Sequence, residues 1–202
     1  KTDEGAIRLD DADITELPIT ERIRRGIGYV ASDRYRYGMV MGMSLAENML
    51  LKSSYMKKWV KGGIIRRKSL NDYTDEMIRK YSVKAQDHSD LAGSLSGGNQ
   101  QKAVVAREVD MGGSLLIFDQ PTRGLDLGAI NYVHKTIMDQ KEKGKAILLV
   151  STELSEIFAL SDRIAVLYKG KIMGIYWNDE LTTEKIGLLM AGYDVEEGAN
   201  AV

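Results

Sequence analysis

The sequence predicts an α/β fold, a sheet of buried strands interleaved with amphipathic helices, and three observations carry that prediction. Two apolar runs, Leu115-Leu116-Ile117-Phe118 and Ala146-Ile147-Leu148-Leu149-Val150, lack the alternation of a half-exposed strand and read as strands buried on both faces. The first closes on Asp119, so it delivers a carboxylate to its carboxyl end, where sheets of this class place their ligands. The third is Leu95-Ser96-Gly97-Gly98-Asn99-Gln100, which runs straight into the periodic segment Gln101 to Val109. A Ser and two glycines at a helix start leave backbone N–H groups unpaired, in a place where the helix dipole adds positive charge and an anion's oxygens can reach the backbone. Six residues alone read equally well as an ordinary serine-capped helix.

Composition bounds the possibilities. The 202 residues suffice for one large or two small domains. A net charge of -1, with Lys and Arg matched by Asp and Glu along the chain, argues against a nucleic-acid stripe. There is no Cys, which fits a reducing compartment and excludes a disulfide framework or thiolate metal site. No apolar run approaches the ~18 residues needed to cross a bilayer. The chain opens at Lys1 in a polar run that reads as the interior of something longer.

In order, Ala6 to Leu9 reads as a short strand, then come a polar turn, a helix from about Ile19 to Arg25 stopped by Gly26, and a strand Ile27 to Ala31. Met39, Val40, Met41 and Met43 precede a capping box, Ser44-x-x-Glu47, that opens a helix through Leu51. Tyr55, Met56, Trp59 and Val60 fall in a predicted loop ending at Gly62-Gly63; these Met and aromatic residues fill a small core or offer an adaptable apolar surface. Leu70, Tyr73, Met77 and Tyr81 recur at helical spacing. His88 reads as solvated and His134 has no ligand-spaced partner. A helix from about Gly128 to Lys143 carries Ile130, Val133 and Ile137 on one face and ends at Gly144. Glu153 to Leu160 reads as a short helix, Arg163 to Leu167 and Lys171 to Tyr176 as strands around Lys169-Gly170, and Glu180 to Met190 as the last helix, followed by a small, acidic, loose tail.

The punctuated stretches resemble, in order and spacing, the ATP-binding subunits of ABC transporters. Leu95 to Gln100 resembles their signature motif, Leu115 to Asp119 their Walker B strand, Gly124-Leu125-Asp126 their D-loop, and Ser151-Thr152-Glu153-Leu154 the place of their switch histidine. The resemblance implies a P-loop NTPase sheet of the ABC type with an inserted all-α subdomain, truncated before strand 1 and the Walker A loop. It divides the chain into a partial core with the Q-loop region (1–43), a helical subdomain ending in the signature helix (44–111), a core with Walker B, D-loop and switch (112–192) and the tail (193–202). The strand leading into Walker A would lie between Ile147–Val150 and Ile164–Leu167, so those two should not pair directly. By the same resemblance Asp119 holds magnesium, and Leu95, Ser96, Gly97, Gly98, Asn99 and Gln100, with Asp126, meet a nucleotide held by a partner domain.

The departures carry as much information. No G-x-x-x-x-G-K-[ST] stretch exists; Gly38-x-x-x-Gly42-Met43-Ser44 is one residue short and has Met for Lys. Gln120 stands where the family has a catalytic Glu, and an amide is no base near neutral pH. Thr152 replaces the switch histidine. Ser32, in Ser32-Asp33-Arg34, stands where the family usually carries a Gln that touches magnesium and the permease, and it is too short for that reach; Asp33 and Arg34 match the Glu-Asp-Arg of sugar-importing second halves.

That pattern is similar to the second ATP-binding domain of bacterial importers that fuse two in one polypeptide, most of all the nucleoside, basic membrane lipoprotein-linked branch. It implies ATP and Mg2+ as ligands of the full-length protein, and import of a nucleoside or simple sugar driven by ATP hydrolysis. Implied partners are the first ATP-binding domain, transmembrane permease subunits and, indirectly, an extracytoplasmic substrate-binding lipoprotein. It implies a peripheral place on the cytoplasmic face of the bacterial membrane. The chain alone is expected to be inactive. The rivals are an ABC ATPase of DNA repair or translation, which would want a basic groove and an intact Glu, and a non-catalytic interaction module that inherited the fold.

Overall fold

A computed structural model describes residues 2–193, so the tail beyond Tyr193 lies outside the described residues. The chain forms two compact units that divide between Val150 and Ser151.

The first unit opens with a hairpin, β1 (Arg8–Leu9) and β2 (Ala12–Asp13), turned by Asp10 and Asp11 at positive φ. The strand therefore starts at Arg8 rather than Ala6, because only two residues fit before the turn. Helix α1 (Ile19–Arg24) leads into β3 (Ile27–Val30). Beyond β3 the chain curls into a π-helical turn, Arg34–Gly38, which Asp33 caps by accepting the Tyr35 and Arg36 N–H groups. The capping box at Ser44 and Glu47 forms as expected and starts α2 (Leu45–Leu50).

The predicted loop after α2 is instead closed by a small hairpin, β4 (Val60–Lys61) and β5 (Ile64–Ile65), around Gly62 and Gly63 at φ 60° and 79°. Two glycines supply the left-handed pair a two-residue turn needs, a signal stronger than the loop reading allowed. Trp59 is buried with Ala46 and Leu70 and stacks on Tyr73, centroids 4.6 Å apart, while Val40, Met43 and Tyr55 stay exposed. The core reading holds for Trp59, while Val40, Met43 and Tyr55 lie at the surface. Helix α3 (Arg67–Lys80) buries Leu70, Thr74, Met77 and Ile78. His88 is not simply solvated: half-buried, it holds Asp75, with Nδ1 to Oδ2 at 2.9 Å, because its loop folds back on α3.

Next come α4 (Gly97–Met111), β6 (Leu115–Asp119), α5 (Leu127–Glu142) and β7 (Ala146–Val150). The three longer strands form a parallel sheet ordered β3-β6-β7, with Val30 opposite Phe118 and Asp119 opposite Val150. The core gathers Val30, Leu116 and Phe118 of the sheet with Val104, Val105, Val133 and Ile137 of α4 and α5. Gly28 admits α4 to the sheet, since a Cβ there would stand 2.5 Å from Leu116 Cδ2 and 2.8 Å from the Glu108 carbonyl oxygen.

One expectation fails in an instructive way. In β6 only Leu116 and Phe118 are fully buried, and β7 leaves Leu148 and Val150 51% and 47% exposed, so neither strand is buried on both faces. An apolar run shows that a strand tolerates cover on two sides, whereas here one face of the sheet, with Val30, Leu116 and Phe118, is covered and the other, with Tyr29, Ile117 and Leu148 in register, is left open among the described residues. Among the described residues this sheet has no strand beyond β7.

In the second unit, α6 (Leu154–Leu160) precedes a hairpin of β8 (Arg163–Tyr168) and β9 (Lys171–Trp177), turned by Lys169 and Gly170 at positive φ. Helix α7 (Thr183–Met190) starts three residues later than predicted, because Asn178–Glu180 forms a 3-10 turn and Thr182 caps the helix through the Lys185 N–H. Ile164, Val166, Leu181, Ile186 and Leu189 form this unit's core.

Candidate functional site

The amino end of α4 is open in a specific way. Ser96 adopts extended backbone at the N-cap position, yet its hydroxyl does not cap the helix; it accepts from Asn99 Nδ2 at 2.8 Å. Asn99 Oδ1 in turn accepts the Lys84 N–H at 2.9 Å. A helix start without a side-chain cap leaves its first amides to water or to a ligand. Within the expected run, Ser96 is exposed and Gly97, Gly98 and Asn99 are half-exposed, whereas Leu95 and Gln100 are buried. Gln100 Nε2 donates to the carbonyls of Ala92 and Leu95, both at 3.1 Å, and so fixes the loop entering the helix. Gln101 Nε2 reaches the Pro121 carbonyl at 2.7 Å and ties α4 to the loop after β6.

Packing of α4 on α5 brings Gly98 and Asp126 together. Asp126 caps α5, its Oδ1 accepting the Ala129 N–H at 2.9 Å, and a Cβ on Gly98 would lie 3.5 Å from Asp126 Oδ2 and 3.1 Å from Ala129 Cβ. Sequence distance hides this meeting, which the small size of Gly98 and Ala129 permits.

At the carboxyl end of the sheet, Asp119 is half-buried and its Oδ2 accepts the Tyr29 hydroxyl at 3.1 Å. Burial, and then this bond to Asp119, push the Tyr29 phenol up. Gln120 follows at φ 47°, a left-handed backbone, with its N–H donated to the Val150 carbonyl at 2.8 Å. Ser32 lies two residues past Val30, the partner of Phe118, so it leaves the sheet at the same end as Asp119. Thr152 is exposed at the start of the second unit.

Among the described residues no three His, Cys, Asp or Glu gather as a metal cluster. A divalent cation here would rest on the single carboxylate of Asp119 and on ligand oxygens, which suits magnesium bound with a phosphate. The glycine cradle and uncapped amides of α4 suit the phosphate itself.

Two features escaped the sequence reading. Tyr29 looked like an ordinary strand residue; its reach to Asp119 follows from the register, in which it sits opposite Ile117. Glu108, only 2% exposed, accepts the Lys52 ammonium at 2.7 Å and the Tyr29 N–H at 3.0 Å, and pairs with Arg107. Arg107 also donates to the carbonyls of Gly38 and Asn48. Adjacent opposite charges inside the apolar run Val104 to Val109 were the available signal.

Residues 1–123 match the family described as ABC transporter. The guanosine import ATP-binding protein NupO of Bacillus subtilis (strain 168) is 43% identical over 201 residues, covering 100% of this chain and 39% of that protein. The nucleoside import ATP-binding protein NupA of Lactococcus lactis subsp. cremoris (strain MG1363) is 42% identical over 197 residues, 98% of this chain and 39% of that one. The ribose import ATP-binding protein RbsA of Lactococcus lactis subsp. lactis (strain IL1403) is 34% identical over 192 residues, 95% and 39%. The chain thus spans about two fifths of the length of these relatives. Among solved structures, the ATP-binding cassette MJ1267 in its ADP conformation superposes with a TM-score of 0.68 at 20% identity, covering 99% of this chain and 78% of that one. A dimeric post-hydrolysis cassette, MJ0796 bound to ADP and Pi, gives 0.69 at 21%, covering 87% and 74%. At such identity the likeness concerns the fold, and the fold is the expected α/β cassette with a parallel sheet.

Proposed function

The chain belongs to the ABC transporter family, and from that premise we propose that it is part of the ATP-binding subunit of an importer, with a nucleoside as the transported solute ahead of ribose. The observation that carries this is the uncapped, glycine-lined start of α4, a cradle shaped for a phosphate. The order of identities, 43% and 42% to guanosine and nucleoside import proteins against 38% to a putative carbohydrate transport protein and 37% and 34% to ribose import proteins, favours the nucleoside.

On this reading the chain is the second ATP-binding domain of its polypeptide and acts as a helper. Ser96 and the Gly97 and Gly98 amides close on the terminal phosphate of ATP held by the first domain, donating hydrogen bonds where charge develops. Asp126, beside Gly98, lines the same junction. The chain's own site is degenerate: Gln120 can orient a water but cannot take its proton, and Thr152 offers a hydroxyl where the family uses imidazole. Magnesium, when bound at Asp119, neutralises phosphate charge; Tyr29 orients that carboxylate. The full-length partners are permease subunits and, through them, a substrate-binding lipoprotein. Among the described residues no helix is long and apolar enough to cross a membrane. On this reading, which rests on the family, the subunit sits beside its permease at the cytoplasmic face of the membrane.

Steady-state ATPase and solute-uptake measurements on the full-length polypeptide test the assignment. Ser96→Arg sets a bulky cation in the cradle and abolishes both, whereas Gln120→Ala leaves ATPase within about threefold, since no base is removed. Equal damage from the two variants would end the helper reading.

A further inference from the structure

We propose that Arg34 is a phosphate-binding residue that acts with the start of α4, a proposal resting on the reading that this helix meets the terminal phosphate of a nucleoside triphosphate. The guanidinium lies on Gly97: a Cβ there would stand 2.7 Å from Arg34 Nη2 and 3.5 Å from Cζ. The π-helical turn delivers it, closed by the Met39 N–H donated to the Arg34 carbonyl at 2.9 Å.

The placement is costly as it stands. A cation beside the positive end of a helix is repelled by the dipole, so a guanidinium there calls for an anion. None is supplied from within. Arg34 forms no ion pair among the described residues, and its Nε is buried without a hydrogen-bond partner. Its two polar contacts are long, Nη1 to the Arg123 carbonyl at 3.4 Å and Nη2 to the Tyr35 hydroxyl at 3.5 Å, with the Tyr35 ring 4.8 Å away. The nearby acids do not pair with it: Asp33 Oδ1 holds the Tyr35 and Arg36 amides, Asp126 Oδ1 caps α5, and Asp126 Oδ2 stands 3.5 Å from where a Cβ on Gly98 would lie, with no ion pair to Arg34 from either carboxylate. A phosphate between the guanidinium and the Gly97 and Gly98 amides satisfies both sets of donors, and the planar fork of Arg matches it in two-point contact.

The test measures the affinity of the full-length polypeptide for a slowly hydrolysed ATP analogue and for ADP, which lacks the terminal phosphate. Arg34→Gln is expected to weaken the analogue about tenfold and leave ADP within about twofold, with Arg34→Lys recovering part of the loss. Should Arg34→Gln fail to fold, Arg34→Lys carries the same comparison with a loss of about threefold. Equal weakening of analogue and ADP, or no weakening of either, overturns the proposal. Ser96→Arg separates the two claims. If it weakens the analogue while Arg34→Gln does not, only Arg34's role falls; if it leaves the analogue unchanged, the phosphate reading of α4 falls and Arg34's role with it.

Discussion

The Glu108 carboxylate accepts the backbone N–H of Tyr29 at 3.0 Å, joining the helix that begins at Ser96-Gly97-Gly98 to the strand beside Asp119. The same carboxylate holds Lys52 and Arg107, so three donors converge on one group that is 2% exposed. Glu108→Ala leaves Arg107 buried without its carboxylate and is expected to cost about 3–5 kcal/mol. Glu108→Gln keeps an acceptor and costs less. Urea unfolding followed by circular dichroism gives both values, and a loss below about 1 kcal/mol for Glu108→Ala would mean the network contributes little.

Two glycines predict opposite consequences for one methyl group. At Gly28 the new Cβ meets the Glu108 carbonyl at 2.8 Å, backbone that cannot step aside, so Gly28→Ala destabilises by about 1–3 kcal/mol. At Gly97 it meets the tip of Arg34, which can move, so Gly97→Ala stays within about 0.5 kcal/mol in urea yet loses affinity for the ATP analogue by displacing the guanidinium. A Gly97→Ala protein with unchanged analogue affinity would contradict this.

Backbone strain sits at Gln120, where φ is 47°. Asn tolerates the left-handed region and a β-branched residue does not. Thermal unfolding should therefore find Gln120→Asn nearly neutral and Gln120→Val destabilised by about 1–2 kcal/mol. Similar melting temperatures for the two would show that the turn relaxes.

Alkaline stability follows from Tyr132 on α5, whose phenol is pushed up to about 12 by burial, partly offset by its bond with Thr136. A folded pKa above the unfolded value means the contribution is intact below about pH 10 and is lost as pH rises toward 12. The urea midpoint should fall across that window, and Tyr132→Phe should fall less steeply. Parallel slopes for the two proteins would assign the loss to other groups.

What the sequence determined by itself was whatever a few neighbouring residues decide. The Ser44 and Glu47 capping box, the strand ending at Asp119, the Lys169-Gly170 turn and the Gly97 start of α4 all depend on interactions within about four positions, where side-chain chemistry and chain geometry suffice. The order and spacing of the motifs were legible for the same reason, and the family followed from them. Tertiary structure alone decided who covers whom. The apolar run of β7 could not reveal that one face would stay bare, and His88 could not announce Asp75. Arg34 meets Gly97, and Glu108 meets Tyr29, across gaps that no periodicity spans. Hydrophobic pattern states which face seeks cover and charge states which groups need partners; only chain packing in three dimensions selects the partner, because the energy of a buried ion pair or an open helix end depends on what stands within a few ångströms rather than on what stands nearby in sequence.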